Sequence, residues 1–257
     1  MPVEFTDLER AKAADGLRMV VVTGVPSPWG EAAKGILHLK KIPWLAVPLD
    51  LRDPAQVAWT GERSGPVAIY GDEAPRAGWE QILLLAERLE PTPSLVPADP
   101  LARAEMMGLS HELCGEGGLG WSRRLMSIHA GLHGEPGFAP RVAGYLAAKY
   151  GYRPEEAAAT QARVVALLGM FAGILHGQRS AGSRFYIGEG LTALDLYSAA
   201  FMALFKPLPQ GECAMSDTLR TAFEHLDEAT AAALDPILID HRDYVYRTFL
   251  ELPLTLR

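Results

Sequence analysis

Hydrophobic and polar positions along the first ninety residues predict strands that alternate with helices. Runs rich in β-branched residues predict strands at 18–23, 44–49 and 66–70. Apolar residues at helical spacing predict helices at 28–41 and 79–89, and the polar stretch before the third strand favours an irregular helix. This order is typical of an α/β layer whose sheet is partly parallel.

The pattern changes after residue 89. The stretch EPTPSLVPADP holds four prolines in eleven residues, which neither a helix nor a strand tolerates. Only helical patterns follow, over 101–113, 119–132, 139–150, 154–176, 192–205, 217–234 and 241–250. The sequence therefore predicts three parts: an α/β domain over 1–90, in which 1–16 is an N-terminal extension, a linker over 91–99, and an all-α domain over 100–257.

Composition narrows the classes of function. Hydrophobic residues make up 49% and charged residues 21% of the chain, which excludes intrinsic disorder, and a net charge of −7 gives no basic surface for nucleic acid. Two cysteines exclude a disulfide framework and suit a reducing compartment. The apolar run 164–175 is too short to span a bilayer, and the N-terminus lacks the apolar core of a secretory signal. We expect a cytoplasmic protein without a membrane or nucleic-acid partner.

The layout and three motifs resemble the cytosolic glutathione transferases. Ser27-Pro28-Trp29 matches the Ser/Cys-Pro-aromatic turn of the serine and cysteine classes, and Lys41-Ile42-Pro43-Trp44 matches the entry to the second strand. Ser64-Gly65-Pro66-Val67 stands where the family has a cis proline, and Leu191–Leu196 matches its helix-start signature. The chain thus resembles a divergent family member, with a thioredoxin-like α/β N-terminal domain followed by an all-α C-terminal domain.

The resemblance implies a glutathione site and an adjoining electrophile pocket. It assigns the glutathione site to Ser27, Trp29, Arg63, Gly65, Pro66, Arg76, Gly78 and Trp79. The family's Glu/Asp-Ser pair, which holds the γ-glutamyl end of glutathione, is replaced by Gly78-Trp79, and Arg76 is the candidate substitute because guanidinium pairs with carboxylates. The pocket falls at Met107, Ser110, His111, Cys114, Trp121 and Arg124, residues that also fit a core stripe.

Two motifs in the sequence match the N-terminal caps of helices. The Ser27 hydroxyl would donate to the glutathione sulfur at a helix start that favours a thiolate, or it would only cap the helix that Pro28 begins. Thr192 and Asp195 fit a capping box, with Thr192 accepting from a first-turn N–H and Asp195 from the N–H of Thr192. Losing such a cap costs about 1 kcal/mol.

Three further patterns carry no chemistry. Residues 115–120 satisfy G-x-G-x-x-G but follow a helical pattern, so they predict a joint between helices rather than a dinucleotide site. His129 and His133 lack the glutamate of H-E-x-x-H and are interpreted as a surface pair, and no metal site is predicted. The Ser27 turn contains no cysteine, which excludes disulfide exchange.

The resemblance implies a homodimeric enzyme that presents the thiolate of glutathione, its co-substrate, to a small hydrophobic electrophile. The reaction could be conjugation, isomerisation, dehalogenation or ether cleavage. One alternative is a catalytically inactive glutathione transferase-fold protein that serves in binding or assembly, which the missing Glu/Asp-Ser pair favours. Another keeps the pocket for a different small ligand.

Overall fold

The computed structural model of the protein describes residues 3–257, which begin with a four-stranded sheet. The strands are β1 (Glu4–Phe5), β2 (Leu17–Val21), β3 (Trp44–Pro48) and β4 (Val67–Tyr70), in the order β1-β3-β2-β4. β1 and β2 run parallel to β3, and β4 runs antiparallel to β2. The accompanying helices are α1 (Leu8–Ala13), α2 (Pro28–Leu39), α3 (Pro54–Thr60) and α4 (Trp79–Leu89).

The three predicted strands are β2, β3 and β4, so the partly parallel sheet is confirmed. The predicted helices at 28–41 and 79–89 are also present, the second with its predicted bounds. The segment treated as an extension contributes α1 and the edge strand β1, whose Phe5 pairs with Ala46 of β3. A strand of two residues is too short to show an alternation of apolar and polar positions, so the sequence pattern could not predict it.

The rest of the chain is helical, and no strand follows β4 within residues 3–257. Its α-helices are α5 (Pro100–Cys114), α6 (Leu119–Leu132), α7 (Pro140–Tyr150), α8 (Ala157–Ser180), α9 (Ala193–Phe201), α10 (Asp217–Glu224), α11 (Glu228–Ala233) and α12 (Pro236–Phe249). The prediction of one helix over 217–234 is wrong. Asp227 begins a new helix there, because its carboxylate accepts the N–H of Thr230 (3.0 Å).

Helix α9 lies at the centre of the helical domain and joins the two domains. All nine of its residues are buried, and it packs against α5, α12 and α2 of the sheet domain. At its start, Asp195 accepts the N–H and the hydroxyl of Thr192 (2.8 and 2.9 Å). The predicted capping box is therefore confirmed, and the Thr192 hydroxyl also donates to the Asp195 carboxylate.

Lys40 fixes the proline-rich segment between α4 and α5. Its ammonium is buried and donates to the carbonyl oxygens of Glu90 (2.7 Å) and Pro93 (2.8 Å), while it pairs with Glu87 (2.8 Å). These contacts tie the connection to the end of α2. They fix the point at which the chain leaves the sheet domain.

Helix α8, together with the turn before it, is long and apolar enough to cross a membrane by length and composition alone. Six of its side chains, among them Leu168 and Phe171, are buried in the hydrophobic core of the helical domain. Its neighbours are α6, α11 and α12. One third of its most apolar stretch is buried in the structure.

Candidate functional site

A cleft of about 1490 Å³ lies between the sheet domain and the helical domain. The register of the sheet explains which residues form the floor of this cleft. Because β4 is antiparallel to β2 and Val67 pairs with Val20, the loop that enters β4 lies beside the end of β2, where the chain turns into α2. Ser27, at the start of α2, and Gly65-Pro66, before β4, therefore meet at one edge of the sheet and contact the same cleft.

The Ser27 hydroxyl makes no capping hydrogen bond, although Ser27 occupies the N-cap position of α2. Its carbonyl accepts the N–H of Glu31 (2.8 Å), as a regular first turn requires. The capping alternative for this side chain is thus wrong. The hydroxyl stands at the positive end of the helix dipole, on the wall of the cleft, where a negative charge is stabilised.

The Gly65–Pro66 peptide bond is cis, as the resemblance predicted. Packing within the sheet domain gives a reason for the glycine. A Cβ atom at Gly65 would lie 3.1 Å from the carbonyl oxygen of Val20 and 3.5 Å from the Cα of Val21. Residue 65 must therefore lack a side chain because it packs against strand β2.

The start of α4 carries an acid that the sequence analysis missed. Gly78 is the N-cap of α4, and a Cβ atom at this position would lie 2.8 Å from Oε1 of Glu80 and 3.0 Å from Oε2. The Glu80 carboxylate therefore fills the space that a side chain at position 78 would occupy, and Gly78, Trp79 and Glu80 all contact the cleft. The available signal was an acid in the first turn, two residues after the position where the resemblance expected one.

The structure places two of the expected site residues outside the cleft. Arg76 turns away and donates to Glu73, which also pairs with Arg88 (2.7 Å). Hydrogen bonds from Arg88 and Arg76 hold the pKa of the Glu73 carboxyl below its usual value. Ser110 is fully buried, and its hydroxyl contacts Sδ of Met106 at 3.4 Å, because it faces the core side of α5.

The remaining expected residues all contact the cleft. They are Arg63 from the sheet domain, Trp29, and Met107, His111, Cys114, Trp121 and Arg124 from the helical domain. Helix α7 adds a face that the sequence analysis did not assign, formed by Val142, Tyr145, Leu146 and Lys149. The spacing of these residues by three and four positions predicts an apolar stripe along α7, and such a stripe is usually interpreted as part of the hydrophobic core. Only the structure shows Val142 and Tyr145 45% and 46% exposed at the cleft.

Trp29 joins the two walls of the cleft. Its Nε1 donates to the carbonyl oxygen of Cys114 (2.8 Å), and its ring meets Phe201 edge to face at 4.9 Å. Burial raises the pKa of the Cys114 thiol well above its ordinary value of 9.0. That thiol is therefore neutral near pH 7 and is not a competing nucleophile in the cleft.

The glycine-rich pattern and the histidine pair both lie outside any catalytic arrangement of the kind those patterns would suggest. The turn that contains Gly117 joins α5 to α6 and follows a helix rather than a strand. The rings of His129 and His133 stack with their centroids 4.1 Å apart, outside the cleft. Nδ1 of His129 lies 2.7 Å from the Tyr152 hydroxyl. Across residues 3–257, no three His, Cys, Asp or Glu side chains come together as a metal site.

Comparison with known proteins gives a match in structure alone. No protein-family model matches the sequence, and no curated protein matches it. A glutathione S-transferase domain-containing protein from Marinobacter aquaeolei is similar with a TM-score of 0.63 and 17% identity, over 90% of this chain and 98% of the other. A glutathione transferase family member from Pseudomonas fluorescens, with two glutathione bound, gives 0.62 and 13%, over 91% and 89%.

A third similar structure is a glutathione S-transferase from Methylobacterium radiotolerans in complex with glutathione sulfonate. Its TM-score is 0.59 at 18% identity, over 90% of this chain and 91% of that chain. Similarity at these identities establishes the fold. The chain has the glutathione S-transferase fold along nearly its whole length.

Proposed function

We propose that this chain, which has the glutathione S-transferase fold, binds glutathione in the interdomain cleft and presents its thiolate to a small hydrophobic electrophile. One observation carries the proposal. The Ser27 hydroxyl makes no capping bond, stands at the start of α2 and contacts a cleft large enough for two small molecules. Similar structures that contain glutathione or glutathione sulfonate support the choice of thiol.

The groups along the sheet-domain wall fit glutathione. The γ-glutamyl end carries an ammonium and a carboxylate. Glu80 supplies an acid for the ammonium, and the N-terminus of α4 supplies amides and positive potential for the carboxylate. Arg63, which is exposed at the same cleft, would pair with the glycyl carboxylate. Glu80 thus supplies the negative charge that the missing Glu/Asp of the family motif would have supplied.

The Ser27 hydroxyl and the start of α2 would act on the cysteinyl sulfur. A hydrogen bond from the hydroxyl and the helix dipole both favour the thiolate, so the thiol releases its proton to solvent. The sulfur electron pair then attacks the electrophilic carbon, a C–S bond forms, and a leaving group departs with the bonding electrons. The apolar wall from α5 to α7 would hold the electrophile beside the sulfur.

Isothermal titration with glutathione tests the proposal. The parent should bind, and Glu80→Gln should weaken binding by about tenfold because a buried ammonium loses its counter-charge. The matched control is Glu116→Gln, which removes the other acid at the cleft from an exposed position and should leave the affinity nearly unchanged. No binding to the parent would refute the proposal.

An inactive binding or assembly protein is the second candidate. The observation that favours it is that Gly78 and Trp79 replace the Glu/Asp-Ser pair of the family, while Arg76 is held by Glu73. Glutathione binding without turnover of any aryl halide or epoxide would support this candidate. The homodimer stays a prediction that sedimentation equilibrium would test, and the cytoplasmic location likewise stays a prediction.

A further inference from the structure

The charge of the cleft is opposite to that of the chain. The protein carries a net charge of −7, yet five Lys or Arg side chains and only two Glu side chains contact the cleft. Three of those cations, Arg124, Arg141 and Lys149, come from the helical wall, where the proposed function places the electrophile. An uncharged hydrophobic electrophile would need none of them.

Arg124 differs from the other cations at this wall. Its guanidinium lies between two aromatic rings, 4.7 Å from the Trp29 centroid and 5.3 Å from the Tyr150 centroid. Nη1 donates to the Tyr150 hydroxyl (2.6 Å), and Trp121 meets Tyr150 edge to face at 4.6 Å. The two ring contacts and the hydrogen bond to Tyr150 restrict the orientation of the guanidinium.

One edge of that guanidinium has no acceptor. Nε of Arg124 is buried and makes no hydrogen bond to any residue from 3 to 257, and Nη2 on the same edge makes none either. No carboxylate of the described chain lies within ion-pair distance of Arg124. Nη2 is therefore the N–H group of Arg124 that can donate to an anion in the cleft, because Nε is closed to solvent.

We propose that Arg124, held between Trp29 and Tyr150, is a specificity-determining residue that selects electrophiles bearing an anionic group, such as a carboxylate on an aromatic ring. The aromatic part would pack on Trp121 and on the apolar face of α7, while the anion accepts from Nη2 of Arg124. This inference rests on the proposed function, because Trp29 places Arg124 beside the turn that holds Ser27.

Three conjugates test the inference without turnover: S-benzylglutathione, S-(4-carbamoylbenzyl)glutathione and S-(4-carboxybenzyl)glutathione. The amide and the acid differ in charge but hardly in shape. In calorimetric titrations the parent should bind the acid at least about tenfold more tightly than the amide. Arg124→Met should remove this preference, and Arg124→Lys should keep only part of it, because a lysine ammonium keeps the charge but not the planar contacts with Trp29 and Tyr150.

Arg103→Gln is the matched control, since it removes an exposed arginine that does not contact the cleft and should change the preference by less than about twofold. Circular dichroism establishes that each variant is folded, and Arg124→Lys remains informative if the methionine variant unfolds. Equal affinity of the parent for acid and amide would overturn the inference alone. So would an Arg124→Met variant that loses all three ligands equally, because Arg124 would then hold the glutathione part. Failure of the parent to bind any conjugate or glutathione itself would overturn the proposed function as well.

Discussion

Replacing Asp195 with alanine should destabilise the protein far more than the loss of an ordinary helix cap. The carboxylate is completely buried and accepts four contacts. Oδ2 receives the N–H and hydroxyl of Thr192, and Oδ1 receives the N–H of Tyr186 (3.0 Å) and lies 3.0 Å from Nε2 of His241. Asp195 thus joins the start of α9 to the preceding loop and to α12.

The magnitude follows from what the substitution leaves behind. An exposed N-cap is worth about 1 kcal/mol. Here each buried donor that loses its acceptor costs about 1–3 kcal/mol, and several donors share this one carboxylate. We therefore expect Asp195→Ala to lower the free energy of unfolding by about 3–5 kcal/mol. Thr192→Ala should cost about 1 kcal/mol, because it removes only one donor from the same carboxylate.

Equilibrium urea denaturation, followed by far-UV circular dichroism and tryptophan fluorescence, measures these losses. Asp99→Ala is the matched control. Asp99 caps α5 through the N–H of Ala102 (2.9 Å) in an exposed position, so the same chemical change should cost about 1 kcal/mol. If Asp195→Ala and Asp99→Ala differ by less than about 1 kcal/mol, the burial argument for Asp195 is refuted.

Three further changes test the site and its support. Ser27→Ala should alter the free energy of unfolding by less than about 0.5 kcal/mol, since no cap is lost, while raising the kinetic pKa of bound glutathione; a stability loss with an unchanged pKa would contradict this. Gly65→Ala should cost about 1–3 kcal/mol in urea denaturation because its Cβ meets the Val20 carbonyl oxygen, whereas Gly108→Ala, with open space, should cost nothing. Burial raises the pKa of the Glu31 carboxyl above its ordinary 4.5, so the folded state holds that proton more tightly than the unfolded state. The stability of the parent relative to Glu31→Gln should therefore fall as pH rises from about 4 to 7. A rise in relative stability over this range would show that the pKa of Glu31 is not raised in the folded state.

The sequence by itself determined the parts of this protein that depend on local interactions. Helices α4 and α6 begin and end where their apolar spacing predicts, because a helical period and its end signals are contained within one segment. Strands β2, β3 and β4 were likewise predicted from short β-branched runs. The order of these segments, with the Ser27 turn and the Gly65-Pro66 loop, was enough to predict the fold and the wall of the cleft that holds them.

Only the tertiary structure decided which side chains face one another. Glu80 occupies the space at Gly78, Arg76 is held by Glu73, and Arg124 lies between Trp29 and a tyrosine of α7. The first two outcomes depend on the rotamers of neighbouring side chains, and the third on contact between segments that are distant in the chain. A one-dimensional pattern specifies neither. An apolar stripe shows that a helix face is covered, but whether it is covered by core or by a ligand depends on how the two domains are held apart.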